Sequence, residues 1–249
     1  MNLLLKTLTV ILAVMLPAGL VIMLTPFGTD FIWTTSIFLF LQAVILFIIL
    51  YSLIGFLRTA IVTAVILLLS FFIEYIGVNT SYPFGSYTYQ AILSPSYAGV
   101  PAAIAFAWYS VVVSSYFAVS SLFPGTGALA AGFIASVLIL AVDIMLEPFA
   151  SFINGFWVWD SGSIPLINFI SWWILGLLFC LVLSLFVPPA KIRELNPSPR
   201  KIPYFIIIVN IINFLVINLV HGYILITLAG FSIIVLLTLI FPRFVKNES

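Results

Sequence analysis

Apolar residues occur in eight long runs that are separated by short polar or turn-rich stretches. Apolar segments of about 17–25 residues are long enough to cross a bilayer as helices. The pattern therefore predicts an all-α integral membrane protein, a polytopic bundle of about eight transmembrane helices. Only Val220-His221-Gly222 separates the last two runs, so a re-entrant hairpin is the alternative there. The runs cover residues 4–25, 31–55, 59–76, 100–122, 127–149, 164–188, 203–219 and 222–241.

The positions of the basic residues test this count. If the chain crosses the membrane at every run, all eight Lys and Arg residues fall on the side that holds the N-terminus. Cytoplasmic loops are enriched in Lys and Arg. Both termini are therefore predicted to be cytoplasmic, and the cell (plasma) membrane is the expected location. The eight residues are Lys6, Arg58, Lys191, Arg193, Arg200, Lys201, Arg243 and Lys246.

Composition excludes several classes of protein. Of the 249 residues, 64% are hydrophobic and 6% are charged, and the mean hydropathy is +1.35. A soluble surface needs about a quarter of its residues charged, so we expect a single transmembrane domain over 1–249. A net charge of +1 gives no reason to expect nucleic acid as a partner. Cys180 lies in an apolar run, which predicts a small buried hydrophobe. In the first run, Lys6 precedes a long apolar stretch, as a basic residue does in a signal peptide, but no clear cleavage site follows it. We therefore interpret this run as a transmembrane helix and not as a signal peptide.

The side opposite the basic residues carries two loops that are rich in Gly, Pro and aromatic residues, 77–100 and 150–163. Turn residues dominate the first of them, which predicts an interfacial lid or a re-entrant loop. Tyr and Trp also settle at headgroup level, but the density here exceeds what an aromatic belt requires. The aromatic residues are Tyr82, Phe84, Tyr87, Tyr89, Phe156, Trp157 and Trp159.

Three acids lie at the ends of apolar runs on this same side. Glu74 ends the third run, and Asp143 and Glu147 end the fifth. Residues four apart share one face of a helix, so the last two are expected to lie together. The helix dipole and the loss of water both disfavour negative charge there, so these acids are expected to be protonated part of the time. A neutral buried acid can act as a general acid. The structural alternative is an acid that forms a hydrogen bond between helices. For Glu147, which stands beside Pro148, a further alternative is a position at the edge of the membrane without a function.

Other polar residues offer fewer candidates. His221 is the only histidine and is expected in a solvated turn, whereas Asn168 is the more plausible partner of the acids. Asn210, Asn213 and Asn218 are expected to form hydrogen bonds between helices. Neither a dinucleotide-binding nor a phosphate-binding glycine pattern occurs, so we expect no cofactor and no metal.

Two stretches, together covering about residues 70–175, carry a specific pattern. The first is Glu74-x-x-Gly77-Val78-x-Thr80-x-x-Pro83-Phe84-Gly85-x-Tyr87-x-Tyr89, followed by Pro101 and Trp108. The second is Asp143-x-x-Leu146-Glu147-Pro148, then Gly155-Phe156-Trp157-x-Trp159, then Pro165-Leu166-x-Asn168-Phe169-x-x-Trp172. These stretches resemble the signatures of the membrane-bound carotenoid biosynthesis proteins, a family that includes carotenoid hydratases. Ser81 replaces a usual glycine, and Glu147 stands where aspartate is common. The second difference keeps the acid but moves it by one methylene, so the reaction or its regiochemistry could differ.

The resemblance implies that water adds to the terminal isopropylidene double bond of a linear C40 or C50 carotenoid. Asp143 would protonate the alkene, and Glu147 or Glu74 would position water or hold the proton on Asp143. Aromatic faces would stabilise the cation. The substrate would be a lipid-soluble polyene that enters from the bilayer, and other carotenoid-pathway enzymes would be partners. The residues expected to bind substrate are Tyr82, Phe84, Tyr87, Tyr89, Trp108, Trp157, Trp159, Asn168 and Trp172.

Three other functions stay open at this point. A carotenoid end-group cyclase begins with the same protonation. A prenyltransferase or elongase would use Asp-x-x-x-Glu for magnesium diphosphate, but diphosphate binding usually recruits Lys or Arg, and this side has none. A transporter or scaffold would use the acids as relay groups. No inverted repeat is evident in the hydropathy and the two aromatic loops show no counterpart halves, which disfavours a transporter.

Overall fold

The structure is a computed structural model, and it describes residues 3–25, 28–123 and 125–246. Among these residues, seven helices are long and apolar enough to cross a membrane. The helix that corresponds to the seventh predicted run begins before residue 203, at Pro197. Proline is well suited to the first position of a helix. The seven helices are α1 (Leu3–Met23), α3 (Thr34–Ile54), α4 (Phe56–Thr80), α5 (Ala102–Leu122), α6 (Ala128–Glu147, continued by a π-helical turn, Pro148–Ile153), α7 (Leu166–Phe186) and α9 (Pro197–Val220); two short helices are α2 (Gly28–Phe31) and α8 (Pro189–Ile192).

The eighth predicted run also forms its own helix, α10 (Ile224–Lys246). It turns back after Gly222 and packs against α9. Its 23 residues correspond to a length of about 34 Å, and the part with described side chains, Ile224–Leu239, is apolar. The prediction of an all-α polytopic membrane protein is confirmed. The predicted cytoplasmic positions of Arg243 and Lys246 concern side chains that lie outside the described part of the chain.

The end of α4 differs from the prediction. Residues 77–80 were expected to begin a turn-rich loop, but the helix continues to Thr80. Asn79 and Thr80 donate side-chain hydrogen bonds to carbonyls one turn earlier, which lets polar residues remain helical. The helix ends at Ser81, whose φ of 62° is left-handed and whose N–H bonds the Gly77 carbonyl at 2.8 Å.

Helix α5 forms the centre of the bundle. It packs against α3, α4, α6, α7 and α9, and 18 of its 21 residues are buried. A helix that is buried on all sides needs small residues that let neighbouring backbones approach. Five serines fill that role in α5: Ser110, Ser114, Ser115, Ser120 and Ser121.

The two aromatic loops join in one structure over the ends of α4 and α6. Strand β1 (Tyr87–Tyr89) pairs antiparallel with β4 (Trp157–Trp159), and Thr88 and Val158 face outward while the aromatic rings face inward. A second ribbon, β2 (Ser96–Tyr97) with β3 (Val100–Pro101), leads into α5. The alternation in Tyr-x-Tyr and Trp-x-Trp is the period-two signal of a strand, although three residues are too few for a prediction.

Candidate active site

Glu74 is held by three hydrogen-bond donors. It lies near the end of α4 and is 3% exposed. Tyr87 donates from its hydroxyl to Oε2 at 2.6 Å, and Tyr89 donates to the same oxygen at 2.8 Å. Trp108 donates from its indole N–H to Oε1 at 2.8 Å. Both oxygens of this buried carboxyl group therefore have partners, as a buried polar group requires.

The tyrosine hydroxyls remain donors at ordinary pH. Burial, and after it the negative charge of Glu74, raise the pKa of the Tyr87 hydroxyl above its ordinary value of 10.0. Burial and the charge of Glu74 also raise the pKa of Tyr89 well above that value. Gly77 provides the space for this contact, since a Cβ there would lie 2.9 Å from the Tyr87 hydroxyl oxygen and 2.8 Å from Phe84 Cδ2.

Glu147 has a matching set of donors at the end of α6. It is 1% exposed. Its Oε2 accepts hydrogen bonds from the indole N–H groups of Trp159 at 3.0 Å and Trp157 at 3.3 Å. The side-chain amide of Asn168, in the first turn of α7, donates to Oε1 at 3.0 Å. Indole nitrogens donate only, so the two strand residues can serve this carboxyl group only as donors.

Asp143 lies one turn before Glu147 and is fully buried. Its Oδ2 lies 3.3 Å from the same amide nitrogen of Asn168, which therefore bridges the two carboxyl groups. Its Oδ1 has no hydrogen-bond partner among the described residues. A buried polar atom without a partner carries a desolvation cost, and a proton on Asp143 would remove the charge that makes this cost large.

The surroundings of Glu74 and Glu147 follow one plan. Each acid lies near the end of a helix, accepts two bonds from the aromatic-x-aromatic strand that follows, and accepts a third from the next helix. The two strands pair with each other. The expectation that the aromatic loops lack counterpart halves is therefore wrong. We call Glu74, β1 and α5 the first half of the site, and Glu147, β4 and α7 the second half. The number of residues between the acid and its strand differs between the two halves, and the first half has Tyr where the second has Trp. These differences hide the relation in the sequence.

A cavity of about 360 Å³ lies beside these groups. Helices α1 and α3 form much of its wall, and most of the lining is apolar. Three predicted site residues do not line it: Tyr82 is 72% exposed, Trp108 lies behind Trp172, and Asp143 is not part of the wall. Nine predicted site residues do line it: Glu74, Phe84, Tyr87, Tyr89, Glu147, Trp157, Trp159, Asn168 and Trp172.

Other polar predictions have mixed outcomes. Asn210 and Asn218 do bond other helices, Asn210 through Gln42 of α3 and Asn218 through the Met145 carbonyl of α6. Asn213 forms no such bond with the described residues and lines the cavity instead. His221 lies in the turn after α9, with its ring nitrogen Nδ1 2.9 Å from the Ile217 carbonyl.

Sequence analysis missed Gln42, which also lines the cavity. The signal that could have identified Gln42 was the presence of a lone amide side chain in the second apolar run. Cys180 is buried, as predicted. The described residues contain no group of three or more His, Cys, Asp or Glu that could hold a metal ion.

Fold and site together define a polytopic membrane protein with buried acids beside an apolar cavity. The model of the family described as "Carotenoid biosynthesis protein" matches residues 34–237. This match covers most of the chain, so the chain belongs to the carotenoid biosynthesis protein family, and the resemblance seen in the sequence is confirmed. The match leaves α1 outside, although α1 contributes to the cavity wall.

A curated relative is the bisanhydrobacterioruberin hydratase of Haloarcula japonica. It is 30% identical over 125 residues, which cover 48% of this chain and 42% of that protein. The matched segment thus spans less than half the length of the relative. No solved structure shows a significant match to the chain.

Proposed function

We propose that this protein is a carotenoid hydratase that adds water to the terminal isopropylidene double bond of a linear C40 or C50 carotenoid. The observation that carries the proposal is a pair of buried carboxyl groups, Glu74 and Glu147, in the wall of an otherwise apolar cavity. Membership of the carotenoid biosynthesis family and similarity to a protein named as a hydratase support the same reaction class.

Glu147 is the acid best placed to protonate the alkene. The π electrons of the double bond take the carboxyl proton and form a C–H bond at the less substituted carbon, which leaves a tertiary cation at the other carbon. Water attacks that cation and forms a C–O bond. The resulting oxonium returns its extra proton to the Glu147 carboxylate, so the acid is regenerated and the net change is the addition of one water.

The donors around Glu147 support this role. When Glu147 gives up its proton, the indole N–H groups of Trp157 and Trp159 and the amide of Asn168 already point at its oxygens. Donors that are fixed before charge develops stabilise it without reorganisation. No redox step occurs, so the chemistry requires no redox cofactor.

Asp143 serves Glu147 as a positioning residue in this account. Two carboxyl groups that share one donor cannot both be ionised without strong repulsion, so the pair is suited to hold a proton. Asp143 is not part of the cavity wall, which favours Glu147 as the group that touches the substrate. The sequence-based assignment of Asp143 as the proton donor stays a prediction.

The corresponding position in the first half is different. Four residues before Glu74 stands Ser70, which bonds the Leu67 carbonyl, whereas Asp143 stands four residues before Glu147. A proline precedes the next helix in each half, Pro101 before α5 and Pro165 before α7. Three residues after that proline stands Ile104 in the first half and Asn168 in the second. Only the second half therefore combines two acids with a bridging amide, which supports a role for Glu74 in holding the aromatic wall and not in proton transfer.

That aromatic wall would stabilise the cation. The rings of Tyr87, Tyr89, Trp157 and Trp159 line the cavity next to the acids, and Trp172 lines it as well. A cation over such a face gains about 2 kcal/mol or more when water is excluded. Aromatic faces do not form a stable bond with the cation, so water remains free to capture it. The proposed setting is the plasma membrane, where other carotenoid-pathway enzymes supply the polyene.

The test is expression in a host that accumulates lycopene, followed by mass analysis of the extracted pigments. The proposal predicts products heavier by one or two waters, and an empty vector is the control. A product of unchanged mass with shifted absorbance would indicate a cyclase instead. Addition of a five-carbon unit would indicate a prenyltransferase.

A further inference from the structure

The chain between α7 and α9 concentrates positive charge at one membrane surface. This connection, residues 188–201, includes α8 and the start of α9. It contains four of the eight Lys and Arg residues of the chain and a single acid, Glu194. Because it follows one membrane-spanning helix directly and leads into another, it lies at the level of the lipid headgroups. We call its four basic residues the basic corner: Lys191, Arg193, Arg200 and Lys201.

The backbone that carries the basic corner is held in place. Tyr116 of α5 donates from its hydroxyl to the Val187 carbonyl at 3.1 Å, and α8 packs against α5. Four prolines, which fix φ, stand between residues 188 and 199. The buried residues of the connection are Pro189, Ile192, Leu195 and Pro199. A fixed surface, and not a flexible loop, therefore presents the cations.

The side chains of the basic corner are partly enclosed. All four are half-buried, whereas Lys6 and Arg58, the other basic residues with described side chains, are exposed. Arg200 donates from Nη1 to the Arg193 carbonyl at 3.1 Å, which places the two arginines next to each other. The Arg193 Nη1 atom is itself buried and has no hydrogen-bond partner among the described residues. A long basic side chain often buries its apolar stem alone, but here a nitrogen of the charged group is buried.

An anion would remove the cost of this arrangement. A buried guanidinium nitrogen without an acceptor carries a desolvation cost. Glu194 is exposed, so water and salt screen its attraction for the cations. Guanidinium groups form parallel hydrogen bonds with phosphate oxygens. The general excess of Lys and Arg in cytoplasmic loops requires only charge, and it explains neither the fixed backbone nor the buried nitrogen.

We propose that the basic corner binds the phosphate group of an anionic phospholipid in the leaflet on its side of the membrane, which is the predicted cytoplasmic leaflet. Clusters of four or more Lys and Arg residues beside a transmembrane helix are typical of sites for anionic headgroups. Arg193 donates the hydrogen bond to the phosphate, and the three other cations supply the surrounding positive charge. None of the four residues lines the cavity, so the lipid site is independent of the proposed function.

The test measures the binding of single lipid molecules to the purified full chain in detergent by native mass spectrometry. Phosphatidylglycerol, which is anionic, is compared with phosphatidylcholine, which carries the same acyl chains and no net charge. A hydrogen bond to a charged group corresponds to about a tenfold or greater change in affinity. We expect the first phosphatidylglycerol to bind more tightly than the first phosphatidylcholine by at least that factor. Equal affinities would overturn the proposal.

Two variants and one control assign the preference to the basic corner. Arg193→Gln removes the buried guanidinium group and should reduce the preference about tenfold. Lys191→Gln should reduce it about fivefold, the usual contribution of one cation near an anionic surface. Arg58→Gln removes the same charge from an exposed position on the same predicted side and should leave the preference within about twofold of the wild type, because salt screens an exposed charge. Equal losses in Arg193→Gln and Arg58→Gln would indicate a diffuse attraction and overturn the proposal, as would an unchanged preference in both Arg193→Gln and Lys191→Gln.

Glycerol phosphate, which has a phosphate group but no acyl chains, distinguishes a lipid from a soluble phosphate. At the same concentration it should raise the melting temperature of the purified protein less than phosphatidylglycerol does. An equal rise would assign the basic corner to a soluble phosphate and contradict the lipid.

Discussion

Trp108 and Trp172 stack face to face, with ring centroids 3.8 Å apart and planes inclined by 15°. Each lies seven residues after the proline that precedes its helix, Pro101 or Pro165. The stack therefore joins equivalent positions of the two halves that hold Glu74 and Glu147. Only Trp108 uses its indole N–H within the described part of the chain, where it bonds Glu74 at 2.8 Å.

This difference predicts unequal effects of the same substitution. Trp108→Phe and Trp172→Phe both reduce the stacked area, but Trp108→Phe also leaves buried Glu74 Oε1 without its donor. We expect Trp108→Phe to lower the free energy of unfolding by about 1–3 kcal/mol more than Trp172→Phe, the cost of an unsatisfied buried group. Unfolding of the two purified variants in the same detergent measures the difference. Equal stabilities would mean that the bond to Glu74 contributes nothing.

Glu147→Gln should fold and lose activity. The glutamine oxygen can accept from Trp157 and Trp159, and the Asn168 amide can rotate to accept from the new NH₂ group. Without the proton, product formation should fall by at least about 10²-fold, the usual contribution of a general acid. Pigment analysis measures the loss. Glu194→Gln, an exposed change on another part of the chain, is the matched control and should retain full activity.

Asn168→Leu should reduce both stability and activity. The change leaves Glu147 Oε1 and Asp143 Oδ2 without their shared donor, and each unsatisfied buried atom costs about 1–3 kcal/mol. Pigment yield and thermal unfolding measure the two losses.

Asp143→Asn tests the proton-holding role alone, because it retains the shape of the side chain. We expect it to lower activity strongly with little loss of stability, measured by pigment yield and thermal unfolding. Full activity in a folded Asp143→Asn protein would remove Asp143 from the mechanism.

Gly77→Ala should disturb the tyrosines that hold Glu74. The new Cβ would lie 2.8 Å from Phe84 Cδ2 and 2.9 Å from the Tyr87 hydroxyl oxygen, so at least one ring must move. We expect a lower melting temperature and reduced product. Gly127→Ala is the matched control, since nothing lies within 4 Å of the added carbon and its φ of −71° suits alanine. A Gly77→Ala protein as stable and active as Gly127→Ala would contradict the contact.

Hydropathy and a few motif residues predict much of this molecule. Length and apolarity are sufficient for the helices because a bilayer admits few other folds. The acids stand out because charges are rare in such runs. The pairing of β1 with β4 could not be predicted from the sequence, since a three-residue strand in each loop does not indicate which distant strand it pairs with.

The arrangement of side chains around the cavity was also out of reach. The four-residue spacing places Asp143 and Glu147 on one face of α6, but it does not reveal that the cavity wall includes only Glu147. Likewise Asn210, Asn213 and Asn218 look alike in the sequence, and only the neighbouring helices decide that Asn213 faces the cavity. Such assignments depend on how helices distant in the chain pack together.

The most direct test of the central claim uses membranes that contain the protein, a linear carotenoid, and water enriched in heavy oxygen. The account predicts a tertiary alcohol that carries the heavy oxygen, formed by the wild type and not by Glu147→Gln. An alcohol whose oxygen does not come from water, or equal product from Glu147→Gln, would contradict it.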